Sequence, residues 1–485
     1  MKLHLILLGI ILIIGLFFRT YKIVERFEFA HDGDLYSWIV KDITVNHHFR
    51  LIGQLTSAPG IFIGPIFYYS LIPFFMLTKM DPIGTLIPIT ILGLLTIFSY
   101  YFVLSNIFDK KTGLIAAFLY AVLMVTVNSD RWVVPTVTTS IWAIWYLFIL
   151  IKITQGQFFV APLLGVLIGL IWDIHIALIP SLIAIPVALF LSKKIPSPKQ
   201  IGLFFLSFII TSLPLIIFEL RHHFQQLIGI LQNFISPHEG TRGLNKFIQV
   251  LGMITKNTNS LFFAPQSFKF TENIIFVILI LFLPLIVMKK RRVLFPLYGW
   301  ILGMIVFFSL SSSLISEYYF SSLNVIFITF ISIFLSFLIK INRIFLIVIS
   351  SILILVLFKN GQFLITQSYY NKGYLERKAI VDYINQDASQ KGFPCIGISY
   401  ITAPGENVGF RYFFYLKNTH LIHPSTEVPV YNIVIPDELS LGEVRQKFGH
   451  IGIIPPAKIP SKEIVEKSCQ TPNTNLTDSV FGYVE

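Results

Sequence analysis

Charge is scarce in this sequence: Asp, Glu, Lys and Arg make up only 13% of its 485 residues. Soluble domains carry roughly twice that share. With 55% hydrophobic residues and a mean hydropathy of +0.75, the composition excludes an ordinary soluble protein. Cysteine is nearly missing. Cys395 and Cys469 are the only two, and neither has a second Cys or His at ligand spacing, which excludes a zinc-finger type of site. No internal repeat is visible, and the polar residues do not break paired mid-membrane helices, which speaks against a secondary transporter. No small-residue cleavage site follows the first apolar run, Leu3 to Phe18, so this run reads as a signal anchor kept as the first helix. A net charge of +12 would suit nucleic acid if it were gathered on one domain. It is instead split into short clusters between apolar runs, and no nucleic-acid partner is expected.

What the sequence does have is apolar runs, at about 3–18, 60–78, 83–104, 112–127, 133–151, 158–171, 175–191, 200–218, 273–289, 293–310, 322–338 and 344–358. About 20 residues cross the hydrocarbon core, somewhat fewer with interfacial help. Basic clusters fall at Lys110-Lys111, Lys152, Lys193-Lys194 with Lys199, Lys289 to Arg292, and Lys340 with Arg343. All of them share one side if the run 60–78 does not span. That run, with Pro65, Pro73 and Tyr68-Tyr69, reads as an interfacial element on the outer face. The expectation is about eleven spans, a cytoplasmic N-terminus and an external C-terminus, as the positive-inside rule requires. The location follows as a multi-pass plasma-membrane protein.

Three outer segments then hold the polar mass: the loops 19–82 and 219–271, and the tail 359–485. The chain divides on this reading into a membrane part, 1–358, and a small extracytoplasmic α/β domain, 359–485. Its signals are a polar helix at Tyr374 to Gln386, a strand at Cys395 to Ile401, a short helix near Gly409 to Leu416, and strands at Tyr431 to Ile435, Ile451 to Ile454 and Val480 to Val484. Cys395 and Cys469 both lie in it. On an oxidising face they form either a disulfide or two unrelated cysteines.

Ionisable residues at the membrane edge point to function. The first outer loop opens with Phe29-Ala30-His31-Asp32-Gly33-Asp34-Leu35-Tyr36-Ser37-Trp38. Its two carboxylates can serve as a general base, or hold a hard cation such as Mg²⁺ or Mn²⁺. The bland alternative makes Asp32 the N-cap of the helix that follows, with Gly33 and Asp34 in its first turn.

An acidic motif just after the first helix, then the aromatic, Pro-containing stretch Ala58-Pro59-Gly60-Ile61-Phe62-Ile63-Gly64-Pro65-Ile66-Phe67-Tyr68-Tyr69, resembles the GT-C glycosyltransferases. The pattern is nearest to the protein O-mannosyltransferases, the lipid A aminoarabinose transferases and their uncharacterised bacterial relatives. The turn Asn106-Ile107-Phe108-Asp109-Lys110-Lys111-Thr112-Gly113 matches a basic turn of that family before its third helix. The likeness covers roughly residues 1–220 by motif and the remainder by layout.

That resemblance implies transfer of a sugar, with inversion, from a polyprenyl-phosphate donor to a glycan, lipid or protein acceptor outside the cytoplasm. Asp32 matches the family's catalytic base. Asp34 departs from the commoner Asp-Glu pair. Asp130 occupies a second acidic position and would steer the acceptor or hold the base, and Arg131 would meet phosphate; the plain alternative is an Asp130–Arg131 ion pair ending a helix. His175, in Trp172-Asp173-Ile174-His175, either joins the site or makes a helix-stabilising contact with Asp173. In Glu219-Leu220-Arg221-His222-His223, Arg221 is the first choice for the lipid phosphate, because a guanidinium binds phosphate bidentately. His222 is either a donor contact or an interfacial anchor. Glu317 and Tyr318, placed at the end of the ninth helix, would contact the donor or belong to the aromatic belt. A polysaccharide polymerase or ligase using polyprenyl-diphosphate glycans stays open through the large loop 219–271.

Overall fold

The computed structural model describes residues 2–56, 60–235, 243–263, 273–288, 291–311, 315–368, 371–403, 405–440 and 442–476. The strand expected at Val480 to Val484, the basic pair Lys289-Lys290 and the residues Ala58-Pro59 lie outside them.

Each expected apolar run contains helix, although in the run 60–78 the helix begins only at Ile66. Among the described residues seven helices are long and apolar enough to cross a membrane, from Leu3–Thr20 to Arg343–Thr366. The pair Lys110–Val122 and Met124–Arg131 makes an eighth if it is one span bent by 64°. The bend sits at Leu123, whose extended backbone separates the two pieces. Ile66–Leu77, Phe158–Ile174, Ile176–Ser192 and Ile274–Val287 are apolar but shorter. The chain is thus a polytopic α-helical membrane protein. Local chemistry sets the helix starts. Pro198 occupies the first turn of Pro198–Arg221, behind a Ser197/Gln200 capping box. Asp109 accepts from the amides of Lys111 and Thr112 to open Lys110–Val122.

Two compact units emerge: 1–21 with 51–67 and 88–367, and 22–50 with 68–87 and 368–485. By this division the residues 368–485 group with 22–50 and 68–87, where the sequence suggested a boundary at 358/359. Most of the first outer loop is built into the same unit as the tail.

In the helical unit, buried aromatics form the core. The Trp142 ring stacks on Tyr146 at 4.7 Å, and Trp300 meets Tyr146 edge-on at 4.9 Å. The first helix, Lys2–Thr20, runs antiparallel to Leu86–Ile107: the His4 ring lies against Tyr101, Gly15 against Ile97, and Arg19 against Gly93. The chain between these helices therefore leaves and re-enters the bundle at the same end. At the N-terminal end, Lys340 pairs with Asp109 at 2.9 Å. Arg19 and Asp130 mark the opposite end, where Asn360 accepts from the Met124 amide at 3.1 Å.

The second unit carries a mixed sheet in the order β2-β1-β3-β5-β4, with β1 at Ile396–Thr402, β2 at Leu421–Ile422, β3 at Val430–Ile435, β4 at Gln446–Phe448 and β5 at Ile451–Ile454. β1 is parallel to β2 and β3, while β5 is antiparallel to β3 and β4. The helix Tyr374–Gln390 leads into the sheet, and its Tyr374 and Lys378 both bond to the Asp81 carboxylate. Cys395 and Cys469 are bridged, with Cα atoms 5.6 Å apart, which settles the choice left open by the sequence.

Candidate active site

The acidic motif lies in the helix His31–Val45, preceded by Ala30 at the N-cap with no side-chain cap bond. Asp32 is therefore not the cap. Asp32 and Asp34 both sit in the first turn, where negative side chains meet the positive end of the helix dipole favourably. The helix holds because Tyr36, Trp38, Ile39, Val40 and Ile43 are buried. Trp38 packs edge-on against Tyr412 at 5.5 Å, and Phe29 against Phe413 at 4.8 Å. The short tail helix Arg411–Leu416 supplies both partners.

This packing gives the two carboxylates different surroundings. Asp34 Oδ1 accepts from the backbone N–H of Tyr412 at 3.2 Å, so it ties the acidic helix to the tail. The Asp32 carboxylate is about a third exposed, and its near neighbour is His31 Nδ1 at 3.7 Å. The Asp32 contact, then the charges of Asp32 and Asp34, hold the His31 imidazole above its ordinary value of 6.5, although burial opposes this. Residues two apart on a helix point in different directions. Each can give a cation one carboxylate, with water and ligand oxygens completing its shell.

The four other expected clusters, around Asp130, His175, Arg221 and Glu317, sit in the helical unit. Asp130 and Arg131 do not pair with each other. Asp130 is fully buried: Oδ2 takes Arg19 Nε at 2.8 Å and Nη2 at 2.6 Å, and Oδ1 takes the Tyr120 hydroxyl at 2.6 Å. Arg131 donates to the carbonyls of Phe18 and Tyr21 at 2.6 and 3.0 Å. Both residues therefore brace the end of the first helix. Arg19 itself escaped the sequence reading; its signal was a charge at the very end of an apolar run.

His175 and Tyr318 are brought together from 143 positions apart, with Nε2 3.3 Å from the hydroxyl. His175 Nδ1 accepts from the Ala177 amide, which assigns the proton of the neutral ring to Nε2, as donor to Tyr318. Tyr319 lies against the same ring at 5.1 Å. No Asp173–His175 contact forms. Asp173 instead accepts from the Ile66 amide at 3.0 Å, capping Ile66–Leu77 from across the bundle. Gly64 is obligatory in that turn, because a Cβ there would collide with the Asp173 carboxylate. Glu317 and Tyr318 open the 3₁₀ turn Glu317–Leu323 and do not close a preceding helix, which stops at Leu310. Glu317 is paired with Lys256 at 2.5 Å.

The remaining cluster is the turn after Pro198–Arg221. The buried Glu219 carboxylate accepts from the amides of Gln226 and Leu227 at 3.1 and 3.2 Å, opening the helix Gln225–Ile235. Gln226 in turn accepts from the Phe62 amide at 2.7 Å. A cavity of about 230 Å³ lies here, lined by Trp172, Phe208, Leu215, Glu219, Phe224 and Leu227 among others. Arg221, next in sequence to the cavity-lining Leu220, is exposed and has no partner among the described residues. The His222 ring stacks on Phe218 at 4.1 Å.

Among the described residues, three metal-ligating side chains converge only at Asp437, Glu438 and His450.

Comparison with known proteins bears on the fold. No family profile matches the chain, and no curated protein does. Solved structures do. ArnT from Cupriavidus metallidurans, bound to undecaprenyl phosphate, aligns over 94% of this chain and 98% of its own, with a TM-score of 0.58 at 11% identity. The Archaeoglobus fulgidus oligosaccharyltransferase, in complex with Zn and sulfate, aligns over 89% of this chain and 68% of its own, with a TM-score of 0.51 at 13% identity. The chain has the fold of the GT-C membrane glycosyltransferases.

Proposed function

We propose that the chain moves a sugar from a polyprenyl-phosphate carrier to an acceptor hydroxyl at the membrane face opposite its N-terminus. The observation that carries this reading is the fold shared with ArnT over nearly the full length of both chains. A hydroxyl is a poor nucleophile at neutral pH. Asp32, in the first turn of a buried-face helix with its carboxylate open to solvent, removes the acceptor proton as the bond to the anomeric carbon forms. Asp34 positions that helix through the Tyr412 amide.

The leaving group is a polyprenyl phosphate. It departs as an anion, so it needs nearby positive charge and no general acid. Arg221 takes that role. It is exposed and unengaged among the described residues, and it follows Leu220, which lines a cavity whose walls are chiefly apolar and suited to a prenyl tail. To the His175–Tyr318 pair, His222 and Glu317 we assign further contacts to the donor. Asp130 and Arg131 act indirectly, by fixing the end of the first helix from which the acidic motif follows. A divalent cation, if bound at Asp32, would supply further charge neutralisation for the donor phosphate.

The test is a transfer assay. Purified protein given a radiolabelled polyprenyl-phosphate sugar should transfer or slowly hydrolyse it. Turnover of a polyprenyl-diphosphate oligosaccharide, with none of the monophosphate donor, would instead establish the polymerase or ligase reading. Inertness toward both would remove the proposal.

A further inference from the structure

The tail holds a second constellation that the transfer reaction does not use. β3 and β5 pair antiparallel, with Val434 opposite Gly452. Continuing that register brings the chain just after β3 against the chain just before β5. The Asp437 amide donates to the His450 carbonyl at 3.0 Å, which locks the two residues together through the backbone. Glu438 follows on the same 3₁₀ turn, Asp437–Ser440.

Their side chains converge. His450 Nδ1 lies 3.8 Å from Asp437 Oδ1 and 3.8 Å from Glu438 Oε1, and the three ligand atoms all fall within 4.8 Å of one another. Two ligands at roughly 2.0–2.2 Å from a tetrahedral ion stand about 3.3–3.6 Å apart. Small rotations of the two exposed side chains, His450 and Glu438, close that difference.

Asp437 adds an independent observation. Its side chain is 95% buried, and Oδ1, the atom facing His450, is buried without a hydrogen-bond partner among the described residues. Its other oxygen has only a long 3.5 Å contact from the exposed Lys447 ammonium. A buried carboxylate oxygen left unsatisfied costs free energy. A cation placed between Asp437, His450 and Glu438 removes that cost.

We infer that Asp437, Glu438 and His450 bind a divalent transition ion of the zinc class. One imidazole nitrogen and two carboxylate oxygens suit Zn²⁺ better than Mg²⁺ or Ca²⁺, which take all-oxygen shells. Three protein ligands leave a fourth position for water or for an oxygen of a bound partner. The site belongs to the tail sheet and is independent of the assignment of Asp32.

The experiment uses the full chain in detergent, stripped with a chelator and titrated calorimetrically with ZnCl₂. Wild type should bind one more Zn²⁺ per chain than His450→Ala. Excess MgCl₂ should not displace that ion. His450 is half exposed, so its removal leaves the fold intact, which a melting curve checks. His423→Ala, an exposed histidine elsewhere on the tail, should keep the wild-type stoichiometry. Cobalt substitution should give a visible d–d spectrum that His450→Ala loses. Equal zinc stoichiometry in wild type and His450→Ala, or displacement by Mg²⁺ at comparable concentration, overturns the site.

Discussion

Asp32→Asn keeps size and polarity, and because Ala30 holds the cap position, the helix loses no cap bond. General-base catalysis contributes about 10²–10⁴-fold, so transfer by this variant should fall by that order while donor binding persists. Near-wild-type turnover would transfer the role to another carboxylate. The same substitution has a second readout. His31 is held above 6.5 chiefly by its contact with Asp32. An NMR titration of the His31 ring should give a midpoint above 6.5 in wild type and a lower one in Asp32→Asn. The sign follows from linkage: with a raised folded-state value, the stabilising contact is full below the ordinary value and is lost as pH rises through the raised one. Asp130 behaves differently. Its carboxylate is enclosed by Arg19 and Tyr120, and removing one member of a buried pair typically costs about 3–5 kcal/mol. Asp130→Ala should therefore lower the melting temperature in detergent sharply. A variant of unchanged stability and raised KM would return Asp130 to the substrate. The sequence marked these residues as costly at the membrane edge, but not their partners. Arg19 lies 111 positions from Asp130 and Lys256 61 from Glu317, and no local periodicity encodes such pairings.

Among the elements, helices were legible because each apolar run is long and bounded by Pro, Gly or charge. Tyr374–Gln390, β1, β3 and β5 were legible in the tail for the same reason, as alternations between turn residues. What escaped were elements too short to carry a period: β2 with two residues, β4 with three, and the turn Asp437–Ser440. The acidic motif was placed correctly at a helix start. Its cap was not, because Ala30 carries no polar side chain to signal it. The Asp173–Ile66 bond shows how such elements are set from a distance: a carboxylate 107 positions away caps a helix whose own preceding residues cannot. Gly64→Ala should force that carboxylate aside and uncap Ile66–Leu77, lowering both melting temperature and transfer, whereas Gly252→Ala, where a Cβ meets open space, should do neither. Equal behaviour of the two variants would show that the cap has no functional weight. The disulfide closes 74 residues between the start of β1 and the end of Lys462–Ser468. Its loss should cost about 2–5 kcal/mol by the usual range. Alkylation of mature protein without reductant should leave both cysteines unlabelled.

Across the whole molecule, sidedness joins sequence to fold. The sequence reading rested on the run 60–78 not spanning, since a span there would send later basic clusters outward. Within the helical unit, Lys2–Thr20 and Leu86–Ile107 run antiparallel, so the intervening segment makes no net crossing. Asp109, next to Lys110-Lys111, pairs with Lys340, which gathers two basic clusters at the N-terminal end of the bundle. Arg343–Thr366 then runs from that end to the other, where its Asn360 meets Met124 and its Gly361 lies near Phe18. The chain thus leaves its last long helix at the end opposite to its start. Only the absolute direction is left to the charges, and the positive-inside rule predicts Lys110-Lys111, Lys340 and Arg343 on the cytoplasmic side. A reporter active only after export should be active when fused after Thr366 and inactive when fused after Lys111 or Lys340. A reporter active only in the cytoplasm should show the reverse. Cytoplasmic activity after Thr366, with export activity after Lys340, would invert the molecule. It would also put Asp32 on the same face as soluble nucleotide sugars, and the lipid-linked donor would lose its physical reason.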